Sequence, residues 1–208
     1  MSEKEVFNER KYVLIPKAVD LDLINFVTQY ALFDEMQDFS PEGFNTQVPS
    51  AHSKYADPVM ETMLLKLQPL VEKYTGLSLY PTYAYHRVYR NGDELKPHTD
   101  RPACEISVTL CFNYSYDKNE YQWPIYIDGN AINMEPGDLA IYRGIELDHW
   151  RLPFDIKEDA WHVQAFLHYV EVNGPNSEWK FDKRDSIGSL NKQSKLVKNQ
   201  TKSYITYL

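Results

Sequence analysis

The sequence is poor in several features, and each shortage removes a class of explanation. Only two cysteines occur in 208 residues, Cys104 and Cys111. They sit seven positions apart in one strand-like run, too far along a strand for a disulfide. Both therefore read as free thiols in a reducing compartment, and the expected location is cytoplasmic. No apolar run approaches the ~20 residues that span a bilayer, and the opening MSEKEVFNERK lacks the apolar stretch of a secretory signal. No membrane partner is expected. Basic residues are the minority, 22 Lys and Arg against 30 Asp and Glu for a net charge of −8. That balance argues against nucleic acid as a partner. No internal repeat is visible.

Aromatic residues, by contrast, are plentiful: 16 Tyr, 9 Phe and 4 Trp. Such residues favour strands. The length suits one domain that buries a substantial core. KYVLIPKAV (11–19) reads as a short first strand. The recurrence of Leu23, Ile24, Phe26, Val27, Tyr30, Ala31 and Leu32 predicts a helix from Leu21 to about Phe39, with Asp20 in front as N-cap. Residues 39–55 carry turn formers without periodicity and read as a loop. A second helix runs from Pro58 to Tyr74, with Asp57 as N-cap, Pro58 at the first helical position and Gly76 just past the end.

From about residue 77 the texture changes. LYPTYAYHRVYR, CEISVTLCFNYSY, YQWPIYI, NAIN, DLAIYR and WHVQAFLHYV are short strand-like runs separated by NG, DG and PG. Helices followed by many closely spaced strands predict a mainly β, α+β domain over residues 1–172, with antiparallel sheets packed as a sandwich or small barrel. Residues 173–208 are a polar C-terminal extension.

The stretch ELKPHTD (94–100) sets His98 one residue from Asp100. Alone, such a pair is a weak signal, equally suited to a solvated turn. On extended backbone, however, residues i and i+2 share a face, so the pair would present an imidazole nitrogen and a carboxylate oxygen to one ion. His149 is the candidate third ligand. Two His and a carboxylate on one side of an octahedron suit non-haem Fe(II), and Zn²⁺ accepts the same set in a tetrahedron. Tyr83, Tyr85, Arg87 and Tyr89 share a strand face, as do His162, Gln164 and His168. Trp150 and Trp161 flank the site in sequence, as walls or as core; His52 and His86 read as structural.

YHRVYRNGDELKPHTD (85–100) resembles the Y-x-x-G-x-x-x-x-x-H-x-D segment of Fe(II)/2-oxoglutarate-dependent oxygenases of the prolyl-hydroxylase branch. EPGDLAIYRGIELDHW (135–150) is similar to the same superfamily's Gly-Asp strand and distal His. The resemblance covers about residues 10–172. It implies a double-stranded β-helix (jelly roll) that binds Fe(II) through His98, Asp100 and His149, with 2-oxoglutarate as cosubstrate, O₂ as oxidant, and succinate and CO₂ as products. Tyr89 matches the family tyrosine near the cosubstrate, and Arg87 and Gln164 are further pocket candidates. A carboxylate at 100 implies hydroxylation or desaturation, not halogenation.

The chain departs from the family pattern where the far carboxylate of 2-oxoglutarate needs a cation. The usual Arg or Lys is missing from WHVQAFLHYV, and position 159 is Asp. Arg151, two residues past His149, and His162 are the alternatives. The expected substrate is a small molecule, an amino acid or a peptide, with the 39–55 loop and the C-terminal extension as candidate gates. A zinc hydrolase, a non-catalytic binding module and a metal-free structural domain are the rival readings.

Overall fold

Period-two alternation along a few long strands determines the architecture. The computed structural model describes residues 3–37, 47–157 and 159–189. In chain order these form α1 (Glu3–Arg10), β1 (Tyr12–Ile15), α2 (Leu21–Gln37), β2 (His52–Tyr55), α3 (Pro58–Thr75), β3 (Leu79–Arg90) and β4 (Leu95–His98). Then follow β5 (Ile106–Tyr114), β6 (Ile125–Ile127), β7 (Asn130–Ile132), β8 (Leu139–Arg143), β9 (His149–Arg151) and β10 (Trp161–Glu171). Short 3₁₀ turns lie at Pro102–Cys104 and within Ser177–Lys183.

Every strand pairing is antiparallel. A six-stranded sheet runs β1-β8-β5-β10-β3-β2 and a four-stranded sheet runs β4-β9-β6-β7. The larger sheet turns one face to the helices. Ala84 and Val88 of β3, Ile106, Val108 and Leu110 of β5, and Val163, Ala165 and Leu167 of β10 form one core with Ile24, Val27, Met60, Leu64 and Val71 from α2 and α3. The alternate residues on the same strands, among them Tyr83, Ser107, Thr109, Gln164 and His168, are also buried. They occupy the opposite face, towards the smaller sheet. One face therefore holds the fold together and the other is left for chemistry. This is an α+β jelly roll.

The helices sit close to where the sequence places them. α3 has Asp57 as its N-cap, accepting from the amides of Val59 at 2.9 Å and Met60 at 3.1 Å, and Gly76 closes it in the left-handed conformation at φ 70°. Three details differ. Residues 52–55, expected in a loop, form β2, because their backbone finds the edge of β3. Phe26, counted in the apolar stripe of α2, is 69% exposed, and the buried stripe is Ile24, Val27, Thr28 and Ala31. The polar octapeptide before the first strand forms α1, anchored by fully buried Phe7. Residues 38–46 and 190–208, which include part of the expected gating loop and most of the extension, lie outside the described residues.

Residues 173–189 pack back onto the sheets. Asp182 accepts two hydrogen bonds from Arg101, at 2.8 and 2.9 Å, and one from the Tyr55 hydroxyl at 2.5 Å. Arg184 pairs with buried Glu61 of α3. No helix among the described residues is long and apolar enough to cross a membrane.

Asp57 does more than cap α3, since it also accepts from the Tyr30 hydroxyl of α2 at 2.5 Å. Asp57→Ala would remove a cap worth about 1 kcal/mol and an interhelical hydrogen bond worth about another. The expected loss is roughly 2 kcal/mol in urea unfolding; a loss under ~0.5 kcal/mol would show that the cap does not join the two helices.

Candidate metal centre

β4 and β9 pair so that His98 lies opposite His149. Their rings are 4.3 Å apart between centroids. The chain then leaves β4, and the Asp100 amide donates to the Gly144 carbonyl at 2.8 Å. This bond ties the carboxylate to the end of β8. The Nε2 atoms of His149 and His98 stand 3.6 and 3.9 Å from one oxygen, Oδ1 of Asp100. All three groups offer donor atoms within 4.8 Å of one another.

Backbone carbonyls set the orientation of both rings. His98 Nδ1 meets Lys96 O at 2.8 Å and His149 Nδ1 meets Leu147 O at 3.0 Å. A carbonyl only accepts, so each Nδ1 carries a proton and each ring turns its Nε2 towards the shared space. Burial and the neighbouring His149 lower the His98 pKa. For His149, burial acts downward, but the Asp100 carboxylate outweighs it and raises the pKa. Burial likewise works against an ionised Asp100, but His149 overrides it and holds the carboxyl at about 2. A carboxylate and two imidazole Nε2 atoms converge, a donor set that suits Fe(II) or Zn²⁺ once both rings are deprotonated there.

Gly144 makes this packing possible. A methyl group there would fall 2.5 Å from Cys104 O and Ser107 Oγ and closer still to Asp100 Oδ2. Ser107 Oγ donates to that Oδ2 at 2.6 Å.

Arg151 lies two residues beyond His149 on β9 and on the same face. It is 1% exposed. Its Nη1 donates to Trp123 O and its Nη2 to Gln164 Oε1, both at 2.6 Å, and its Nε has no hydrogen-bond partner among the described residues. The guanidinium lies 4.4 Å from the Trp123 ring centroid and 6.0 Å from that of Tyr89. Burial lowers the Arg151 pKa, as expected for a cation that meets only neutral groups. Arg87 donates to the Tyr89 hydroxyl at 3.0 Å and faces the cleft described below.

His162 is satisfied as a neutral ring. Its Nε2 meets Gln164 Oε1 at 2.9 Å and its Nδ1 meets the Tyr116 hydroxyl at 3.0 Å. Burial, assisted by Arg151, puts its pKa well below the usual histidine range. It supplies no charge for an anion.

A cleft of about 600 Å³ opens beside Asp100. Tyr55, Tyr83, Tyr85, Arg101, His168 and Asp182 are among its walls. Trp150 is not: it stacks on Tyr126 with centroids 5.2 Å apart. Trp161 packs against the helix-side core. Trp123 is the indole that meets Arg151, and nothing in its local sequence marked it. His52 and His86 gather around Asp34, at 2.9 and 3.4 Å, but Lys54 Nζ sits on the same carboxylate at 2.5 Å and already supplies a positive charge.

No family model and no curated protein matches the chain. Solved structures do. A prolyl-4-hydroxylase from Pseudomonas putida superposes with a TM-score of 0.59 at 16% identity, over 79% of this chain and 95% of that one. The non-haem alpha-ketoglutarate-dependent epimerase SnoN of nogalamycin biosynthesis gives 0.67 at 10% identity, over 81% of each chain. HygX from Streptomyces hygroscopicus, solved with nickel and 2-oxoglutarate bound, gives 0.60 at 11%, over 83% of this chain and 88% of that one. The chain has their jelly-roll fold. Within that fold, the paired β4 and β9 bring His98 and His149 together, and the bond to Gly144 sets Asp100 beside them.

Gly144→Ala provides a test of the centre that leaves every donor in place. Displacing Asp100 should weaken Mn²⁺ or Co²⁺ binding about 10–100-fold while the far-UV circular dichroism stays native; unchanged metal affinity would show that the Asp100 position does not matter.

Proposed function

We propose that this protein is an Fe(II)- and 2-oxoglutarate-dependent dioxygenase that hydroxylates a C–H bond of a small-molecule, amino acid or peptidyl substrate. The observation that carries the reading is Arg151. A buried guanidinium without an anion is costly, and none of the described residues forms an ion pair with it. It lies about 6.6 Å along an extended strand from His149, a span comparable to a five-carbon dicarboxylate. One end of 2-oxoglutarate would meet the metal and the other would form a bidentate pair with Arg151.

In this reading His98, Asp100 and His149 hold the ion on one side. A ferrous ion supplies the chemistry that couples O₂ and 2-oxoglutarate breakdown to oxidation of the substrate. The protein's own contribution is positioning and exclusion of water. Lys96 O and Leu147 O fix the ring tautomers, and Ser107 holds the second carboxylate oxygen. Trp123 covers the guanidinium, which strengthens any ion pair made there. The aromatic cleft beside Asp100 receives the substrate. The fold shared with a prolyl-4-hydroxylase and with enzymes of small-molecule pathways supports the reaction class and leaves the substrate open between peptide and metabolite.

Anaerobic Fe(II) loading followed by 2-oxoglutarate titration tests the reading. His98→Ala and Asp100→Ala should abolish metal-dependent binding and succinate release over a panel of amino acids, proline-bearing peptides and small metabolites. Arg151→Met should keep metal affinity but weaken 2-oxoglutarate by about 2–3 kcal/mol, roughly 30–160-fold. Wild-type-like cosubstrate affinity in Arg151→Met, or a larger loss in His162→Ala, would contradict the assignment. Turnover without O₂ and 2-oxoglutarate would point to zinc hydrolysis, and metal binding without succinate to a binding module.

A further inference from the structure

His168 is 3% exposed, lies on the wall of the cleft, and belongs to no part of the chemistry above. Its Nδ1 is 3.0 Å from Ser107 Oγ. That hydroxyl has one proton to give, and its shortest contact is the Asp100 carboxylate at 2.6 Å, with Cys104 O further off at 3.1 Å. Both are acceptors only, and the ionised carboxylate makes the stronger bond. Were the proton turned instead towards His168, the serine oxygen and the carboxylate would face each other with no hydrogen between them. Ser107 therefore accepts from His168, and Nδ1 is the protonated nitrogen of the ring. The other nitrogen, Nε2, is then a bare lone pair. It is buried and has no hydrogen-bond partner among the described residues.

The surroundings restrict what can satisfy it. Tyr83 and Tyr85 flank the ring with centroids 4.7 and 5.9 Å away. The Tyr83 hydroxyl is engaged with Cys104 Sγ at 3.1 Å, and Arg101 and Asp182 are engaged with each other. A buried acceptor left without a donor costs about 1–3 kcal/mol.

We propose that His168 Nε2 is a specificity determinant which accepts a hydrogen bond from the substrate, so that substrates of this cleft carry a neutral N–H or O–H donor close to the bond that reacts. The inference deepens the oxygenase reading and rests on it for the word substrate; the tautomer itself does not. A proline nitrogen within a peptide carries no proton, so a prolyl substrate would supply the donor from a neighbouring residue.

The test uses full-length, metal-free protein labelled with ¹⁵N-histidine, the His168 signals being those lost in His168→Phe. Nδ1 should appear protonated and Nε2 unprotonated. N-methylacetamide, which has one N–H, should shift the Nε2 resonance, and N,N-dimethylacetamide, which has none, should leave it in place. A protonated Nε2, or an equal or absent response to the two amides, overturns the proposal. In parallel, the visible charge-transfer band of the anaerobic Fe(II)–2-oxoglutarate complex is titrated in wild type and in His168→Phe. The band should form equally in both. Its absence from wild type would sink the oxygenase reading and leave the tautomer result to stand or fall by itself. Its loss only in the variant would make His168 a support of the metal centre and overturn its role as a substrate contact.

Discussion

A buried positive charge that meets no carboxylate among the described residues is the constraint around which this molecule is arranged. Arg151 is surrounded by neutral acceptors, a carbonyl and a side-chain amide, and by the faces of Trp123 and Tyr89. Such a group destabilises the fold unless an anion joins it. Its place on β9, one alternation from His149, ties that unmet need to the convergence of two imidazoles and a carboxylate. In the proposed reading, a ligand with a carboxylate at one end and metal-binding oxygens at the other would satisfy both at once. The same low-dielectric surroundings would strengthen an ion pair made with Arg151.

The two faces of the large sheet divide the work. Residues that meet α2 and α3 are mostly apolar and form one continuous core. Those turned the other way include hydroxyls, imidazoles, an amide and the Arg87 guanidinium, many of them hydrogen-bonded to one another. Ser107 links the two regions of the site, since it donates to Asp100 and accepts from His168. The metal side and the cleft side thus share one hydrogen-bond chain. Asp182 joins the C-terminal segment to this cleft through Arg101 and Tyr55, in a stretch where Phe181, Asp182 and Lys183 all adopt positive φ, at 56°, 55° and 60°. Non-glycine residues rarely hold that conformation in succession.

Much of this was legible wherever a local period governs. Strand alternation grouped Tyr83, Tyr85, Arg87 and Tyr89 on one side of their strand, and His162, Gln164 and His168 on one side of theirs, without knowledge that the two strands pair and turn both groups to the same face. The α3 caps were readable for the same reason: Asp57, Pro58 and Gly76 act within one turn of the backbone. What could not be read depends on chain segments far apart in sequence. β2 exists because it finds the edge of β3. Trp123 matters because a carbonyl and an indole from β6's approach meet a guanidinium from β9. Ser107 was one serine in an apolar strand until Asp100 and His168 were brought to it. The proposed preference for Arg151 over His162 rests on hydrogen bonds between distant segments: the His162 ring is satisfied as a neutral group, and Arg151 Nε has no partner among the described residues.

The most direct measurement is a crystal structure grown anaerobically with Mn²⁺ and 2-oxoglutarate. The account requires the metal on His98, Asp100 and His149, and the far carboxylate in a two-bond pair with Arg151. Metal density away from those three side chains, or a dicarboxylate on Arg87 with Arg151 still bound only to Trp123 and Gln164, would contradict it.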